Sequence, residues 1–129
     1  MPRALVRGRP ASAPPPIRPR IHLRTGVAVG PGKVDLLRQV EATRSISAAA
    51  RAMGMSYKRA WLLIDALNQG FGAPVLATAT GGRGGGGAVL TPLGRAIVDH
   101  YERLERRLNA AVGPELAALE ALVARRRRA

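Results

Sequence analysis

Between Ser45 and Asn68 the chain reads SISAAARAMGMSYKRAWLLIDALN, and no other stretch restricts the fold as tightly. Ser45 or Ser47 can serve as the N-cap of a first helix, because a serine hydroxyl accepts a hydrogen bond from an otherwise unmatched N–H of the first turn. Ala48, Ala49, Ala50 and Ala52 favour helix, and their small size lets a second helix come close. Gly54 ends the first helix, since glycine tolerates the left-handed conformation found just past helix ends. Ser56 then caps a second helix. Ile46, Ala49, Ala50 and Met53 make one apolar face, Met55 fills the turn, and Ala60, Leu63, Ile64 and Leu67 repeat at i, i+3, i+4 and i+7. Two helices joined by so few residues form a helix-turn-helix.

Tyr57, Lys58 and Arg59 occupy the first turn of the second helix, away from most of its apolar stripe. That is where a helix inserted in the major groove presents side chains to base edges. Lysine and arginine can donate to guanine O6 and N7, and Tyr57 can bond a phosphate or pack on a sugar. The alternative for Lys58 and Arg59 is a solvated helix face. Trp61 lies one residue off the stripe. It either joins the core or an interface, as large rings do, or flanks the DNA side. The candidate DNA-contacting set is thus Ser45, Ser47, Ser56, Tyr57, Lys58, Arg59, Trp61 and, from the loop described below, Arg83.

Charge agrees with a polyanionic partner. The formal net charge is +13 over 129 residues, and residues 1–32 hold six arginines and no acid. Such a balance suits double-stranded DNA, with affinity falling steeply in salt, although abundant Ala, Gly and Arg throughout weaken the inference from charge alone. Sequence-tolerant binding, as a nucleoid- or RNA-associated basic protein, is the rival reading. The chain has no cysteine, which excludes disulfides and cysteine-bound zinc. No apolar run reaches the roughly 20 residues of a membrane-spanning helix, and the N-terminus lacks a secretory core; a cytoplasmic location is expected. His22 and His100 are far apart, and no paired carboxylates, histidine cluster or nucleophile–base arrangement stands out. Neither enzymatic activity, a cofactor nor a metal is expected.

Around the central motif, residues 1–20 read as a disordered Pro/Arg-rich tail. Ile21 to Val29 alternates partially and reads as a short strand, broken by Gly30-Pro31-Gly32. Lys33 to Thr43 reads as a helix with Val34, Leu37 and Val40 inward. After Phe71-Gly72-Ala73-Pro74, Val75 to Thr80 and Ala88 to Leu90 read as two strands. The loop between them has six glycines and Arg83 among residues 81–87. A strand pair with this loop makes a wing beside the second helix, where close backbone approach to phosphates explains the glycines and Arg83 reaches a phosphate or the minor groove; a flexible connector is the alternative. Thr91 caps the next helix and Pro92 suits its first turn. Ile97, Val98, Tyr101, Leu104 and Leu108 form a stripe, Gly113-Pro114 interrupts it, and Leu116, Leu119, Leu122 and Val123 resume it. This long apolar helix is expected to make a homodimer rather than fold back. The expected fold is mainly α with a small β-wing, a winged helix-turn-helix spanning 21–124 with a long C-terminal dimerisation helix, followed by a basic tail at 125–129.

Several of these residues resemble a known family. Gly30-Pro31-Gly32-Lys33, Ser45-Ile46-Ser47-Ala48-Ala49-Ala50, Met55-Ser56-Tyr57-Lys58, Ala60-Trp61, Thr80-Gly81-Gly82, Gly84 to Gly87 and Leu90-Thr91-Pro92-Leu93-Gly94 look like the N-terminal domain of ModE-type molybdate-responsive transcription regulators. That domain is itself similar to the DNA-binding domain of LysR-type regulators. The likeness covers roughly residues 21–112. It implies a bacterial, dimeric transcription regulator binding a palindromic operator, with Ser56, Tyr57, Lys58 and Arg59 matching the family's DNA-facing helix and Arg83 its wing. Full-length ModE-type regulators carry further domains that bind molybdate or tungstate. Here the chain stops soon after the last helix, so molybdate sensing is not expected within it, and a separate effector-sensing partner could supply the cue.

Overall fold

Three hydroxyl side chains set helix starts in the computed structural model, which describes residues 15–79 and 87–128. Ser45 Oγ accepts the Ala48 N–H at 3.0 Å and opens α2 (Ile46–Ala52). Ser56 Oγ accepts the Arg59 N–H at 3.0 Å and opens α3 (Tyr57–Phe71). Thr91 Oγ1 accepts the Gly94 N–H at 3.1 Å and opens α4 (Pro92–Ala111). Each cap satisfies a donor that the helix itself cannot, which typically contributes about 1 kcal/mol. The turn between α2 and α3 closes as a Schellman motif: the Gly54 N–H donates to Arg51 O and the Met55 N–H to Ala50 O, with Gly54 at φ 66°. Only a residue tolerant of that left-handed conformation ends the helix this way.

α1 (Pro31–Thr43) begins two residues before the Lys33 start read from sequence. Gly30-Pro31-Gly32 does end the preceding strand, but Pro31 and Gly32 then form the helix's first turn. A missing proline N–H is harmless there, and the fixed φ suits the helix. Residues 21–29, read as one strand, are instead a hairpin of β1 (Ile21–His22) and β2 (Ala28–Val29), with Ile21 opposite Val29. The chain reverses where alternation fails: Gly26, at φ 97°, donates to Leu23 O, and the Leu23 N–H donates to Val27 O.

β3 (Leu76–Ala79) and β4 (Gly87–Leu90) pair antiparallel, from Leu76 opposite Leu90 to Ala79 opposite Gly87. This is the strand pair expected from the sequence. The connecting residues 80–86, including Arg83, lie outside the described residues. α5 (Gly113–Arg128) follows α4 after a break at Val112; Gly113-Pro114, expected to interrupt the helical pattern, instead form the first turn of α5, where proline is tolerated.

The described chain divides into two units. Pro19–Leu104 forms one, a winged helix-turn-helix; the segments up to Arg18 and from Glu105 onward form the other. In the first unit, the core joins Val34, Leu37 and Val40 of α1 to Ala49 and Ala50 of α2 and to Ala60, Ile64 and Leu67 of α3. Leu36, which lies off the stripe expected for α1, is buried too. Trimming one of the fully buried leucines to alanine would cost about 2–5 kcal/mol. Fully buried Ala49 on α2 and Ala60 on α3 each place no more than a methyl group at their own positions in the core, which lets the helices lie close there. Lys33 Nζ donates to Ala28 O at 2.7 Å; burial, and then Arg20, hold its pKa below the usual lysine value.

In the second unit, Ile17 and Arg18 are tied down rather than loose. Asn109 presents one acceptor and one donor to a single peptide: its Oδ1 accepts the Ile17 N–H at 3.0 Å and its Nδ2 donates to Ile17 O at 2.8 Å. Arg18 Nε reaches the buried Glu105 carboxylate at 3.5 Å. The tail read over 1–20 thus has an ordered end, and residues 1–14 lie outside the described residues.

Candidate nucleic-acid interface

The site is built on α3, and burial separates its two sides. Ala60, Ile64 and Leu67 are buried, as the sequence stripe requires, and Leu63 packs partly buried beside them. The rest of the first two turns is outward. Ser56, Tyr57, Lys58, Arg59 and Trp61 are all exposed, so the structure brings together five of the eight sequence-derived candidates at one helix end. That end carries no acidic residue in its first turn. The helix dipole adds partial positive charge there, so Lys58, Arg59 and the backbone all favour an anion.

Tyr57 and Trp61, one turn apart, meet edge to face with ring centroids 6.3 Å apart. Such a pair fixes both rings without burying them. Trp61 is 40% exposed, so its ring lies on the outward side of the helix and does not enter the core. Leu62, unassigned in the sequence, is 59% exposed on the same helix. Its position within Trp61-Leu62-Leu63-Ile64 hides it, because a continuous apolar run carries no periodicity of its own.

Ser45 and Ser47 stand apart from that group. Ser45 is half-buried and its hydroxyl is engaged as the α2 cap. Ser47 lies exposed within α2 and is not the cap. Arg83 lies outside the described residues.

Three hydrogen bonds fix the wing to the helices. Asn68 Oδ1, on α3, accepts the Val75 N–H at 2.8 Å just before β3. On β4, the Ala88 N–H donates to Arg44 O at 3.0 Å, the carbonyl just past α1. Thr91 Oγ1 donates to Pro74 O at 2.8 Å. The strand pair is therefore held to the same helix that carries the basic end. Among the described residues no group of three or more His, Asp or Glu side chains could hold a metal ion. His22 and His100 are exposed.

Residues 32–95 match the family described as bacterial regulatory helix-turn-helix protein, lysR family. This segment is a lysR-family helix-turn-helix domain. It contains α1 apart from Pro31, then α2, α3 and the strand pair, together with the start of α4. Among proteins similar to the chain, a molybdenum-pterin-binding protein MopB from Rhodobacter capsulatus is 49% identical over 82 residues, covering 64% of this chain and 30% of that protein. The molybdenum transport protein ModE from Azotobacter vinelandii is 36% identical over 109 residues, covering 76% and 40%. The chain thus spans about a third of the length of these relatives. The fold is also seen in a solved CbnR_DBD–DNA complex, with TM-score 0.53 and 20% identity, covering 68% of this chain and 95% of that one. The resemblance to ModE-type N-terminal domains, and the mainly helical winged architecture, therefore stand.

Proposed function

We propose that this chain is a sequence-specific transcription regulator that binds double-stranded DNA as a homodimer on a palindromic operator. One observation carries the reading: the capped start of α3 exposes Tyr57, Lys58, Arg59 and Trp61 together while the opposite side of the same helix is buried. Two α3 helices would enter successive major grooves about 34 Å apart. Side chains from Ser56 to Arg59 read base edges. The helix N-termini and the wing, with Arg83, hold phosphates. No turnover is involved; occupancy of the operator is the output.

The dimer rests on apolar side chains that the described residues leave uncovered. On α5, Leu119, Leu122 and Val123 are 61%, 52% and 60% exposed at i, i+3 and i+4 spacing. A second copy is the natural cover for such a stripe. The proposed site of action is the cytoplasm, where a bacterial operator lies. Among the described residues no helix is long and apolar enough to cross a membrane.

A duplex selected from a random pool, titrated against scrambled DNA near physiological salt, tests the function. A specific regulator should prefer its selected duplex by about a thousandfold or more. Near-equal affinity for both would instead make the protein a sequence-tolerant basic binder.

A further inference from the structure

The outward line of α3 contains one side chain that neither charge nor hydrogen bonding explains. Lys58, Leu62, Asp65 and Gln69 follow one another at three- and four-residue spacing, opposite buried Ala60, Ile64 and Leu67, and all four are exposed. Three of them are polar. Leu62 is 59% exposed and is the most exposed large apolar residue of the helix. A lone exposed leucine is unremarkable on a protein surface. This one adjoins 40%-exposed Trp61 and lies one turn beyond Lys58, which makes a small apolar patch beside the basic helix start.

What covers that patch follows from its surroundings. The cations of Lys58 and Arg59, at a helix end without acids, are complementary to a polyanion and poorly suited to an apolar protein partner. Within the major groove the one apolar group that a base displays is the thymine 5-methyl. Leucine can neither donate nor accept a hydrogen bond, so the other base-edge groups and the phosphates offer it nothing.

We propose that Leu62 is a specificity-determining residue that packs on the 5-methyl group of one thymine in each operator half-site, with Trp61 closing its flank. The proposal rests on the reading of α3 as the base-reading helix. It adds a hydrophobic element to the hydrogen-bonding readout by Lys58 and Arg59.

The test replaces thymine by deoxyuridine, which removes the methyl and leaves the pairing edge unchanged. A duplex is first selected from a random pool by the wild-type chain, and each thymine is then replaced in turn. Burial of one methyl group corresponds to about a fourfold gain in affinity, so one position per half-site should lose about fourfold, and both replaced together about sixteenfold. In Leu62→Ala that penalty should vanish at those positions alone. Its thermal melt should match wild type because the side chain is exposed. A wild-type profile with no thymine losing more than twofold overturns the proposal, as does a penalty that survives Leu62→Ala. Failure of selection to yield any preferred duplex overturns the base-reading role of α3 itself, and Leu62's role with it.

Discussion

Replacing Gly94 by alanine tests how the start of α4 is seated on the wing. A Cβ built at Gly94 would sit 2.2 Å from Val75 O and 3.2 Å from its carbonyl carbon. The same oxygen accepts the Thr91 N–H at 3.0 Å, and Val75 is fully buried. Backbone cannot rotate aside as a side-chain tip can, so α4 or the β3 approach must shift by about 1 Å. Overpacking of this kind costs about 1–3 kcal/mol, and a weakened Thr91–Val75 hydrogen bond adds about 1. The gain from replacing a helical glycine, at most about 1 kcal/mol, offsets only part of this. A net loss of about 1–3 kcal/mol lowers the melting temperature by at least about 4 °C for a domain of this size. Gly32→Ala is the control: it also lies in a helix's first turn, but nothing sits within 4 Å of its Cβ. Melting followed by circular dichroism at 222 nm should show Gly94→Ala below wild type and Gly32→Ala at or above it. Gly94→Ala melting level with Gly32→Ala would refute the seating of α4 against Val75.

The caps sort the three serines: Ser45→Ala and Ser56→Ala should each lose about 1 kcal/mol in urea unfolding, whereas Ser47→Ala should stay within about 0.5. Asn68→Ala leaves the Val75 N–H without its acceptor and should cost about 1–3 kcal/mol, with faster amide exchange along β3 read by NMR. Arg59→Ala should reduce preference for the selected duplex, and Arg83→Ala should weaken selected and random duplexes more evenly; operator titrations that show equal losses of specificity and affinity in both variants contradict that division.

What was legible in the sequence had local causes. A cap, a glycine past a helix end and an apolar residue every third or fourth position all act within one or two turns, so α2, α3 and the start of α4 could be read directly. The strand pair around the glycine loop was legible for the same reason. Features made by distant partners were not. Nothing near Ile17 announces that Asn109 will clamp its peptide, and nothing near Val75 announces the Asn68 amide. The hairpin of β1 and β2 was missed because two-residue strands leave almost no alternation to detect. At the site, Lys58 and Arg59 declared themselves by charge. Leu62 did not, since among neighbouring apolar residues only burial distinguishes an outward leucine from a core one. Arg38 is a similar case: its guanidinium joins Asp35 three residues away and Glu102, each at 2.7 Å. Only the first of those pairs is visible as a helical spacing.

The surface that duplex DNA occupies can be mapped on the protein by titrating the selected duplex into the isotope-labelled chain and following amide and indole N–H signals. The expected result is that the largest changes fall on residues 56–62, including the Trp61 indole, while the signals of Ile64 and Leu67 move little. Changes confined to the arginine-rich segments near the termini, with α3 undisturbed, would contradict the assignment of that helix as the DNA-reading element.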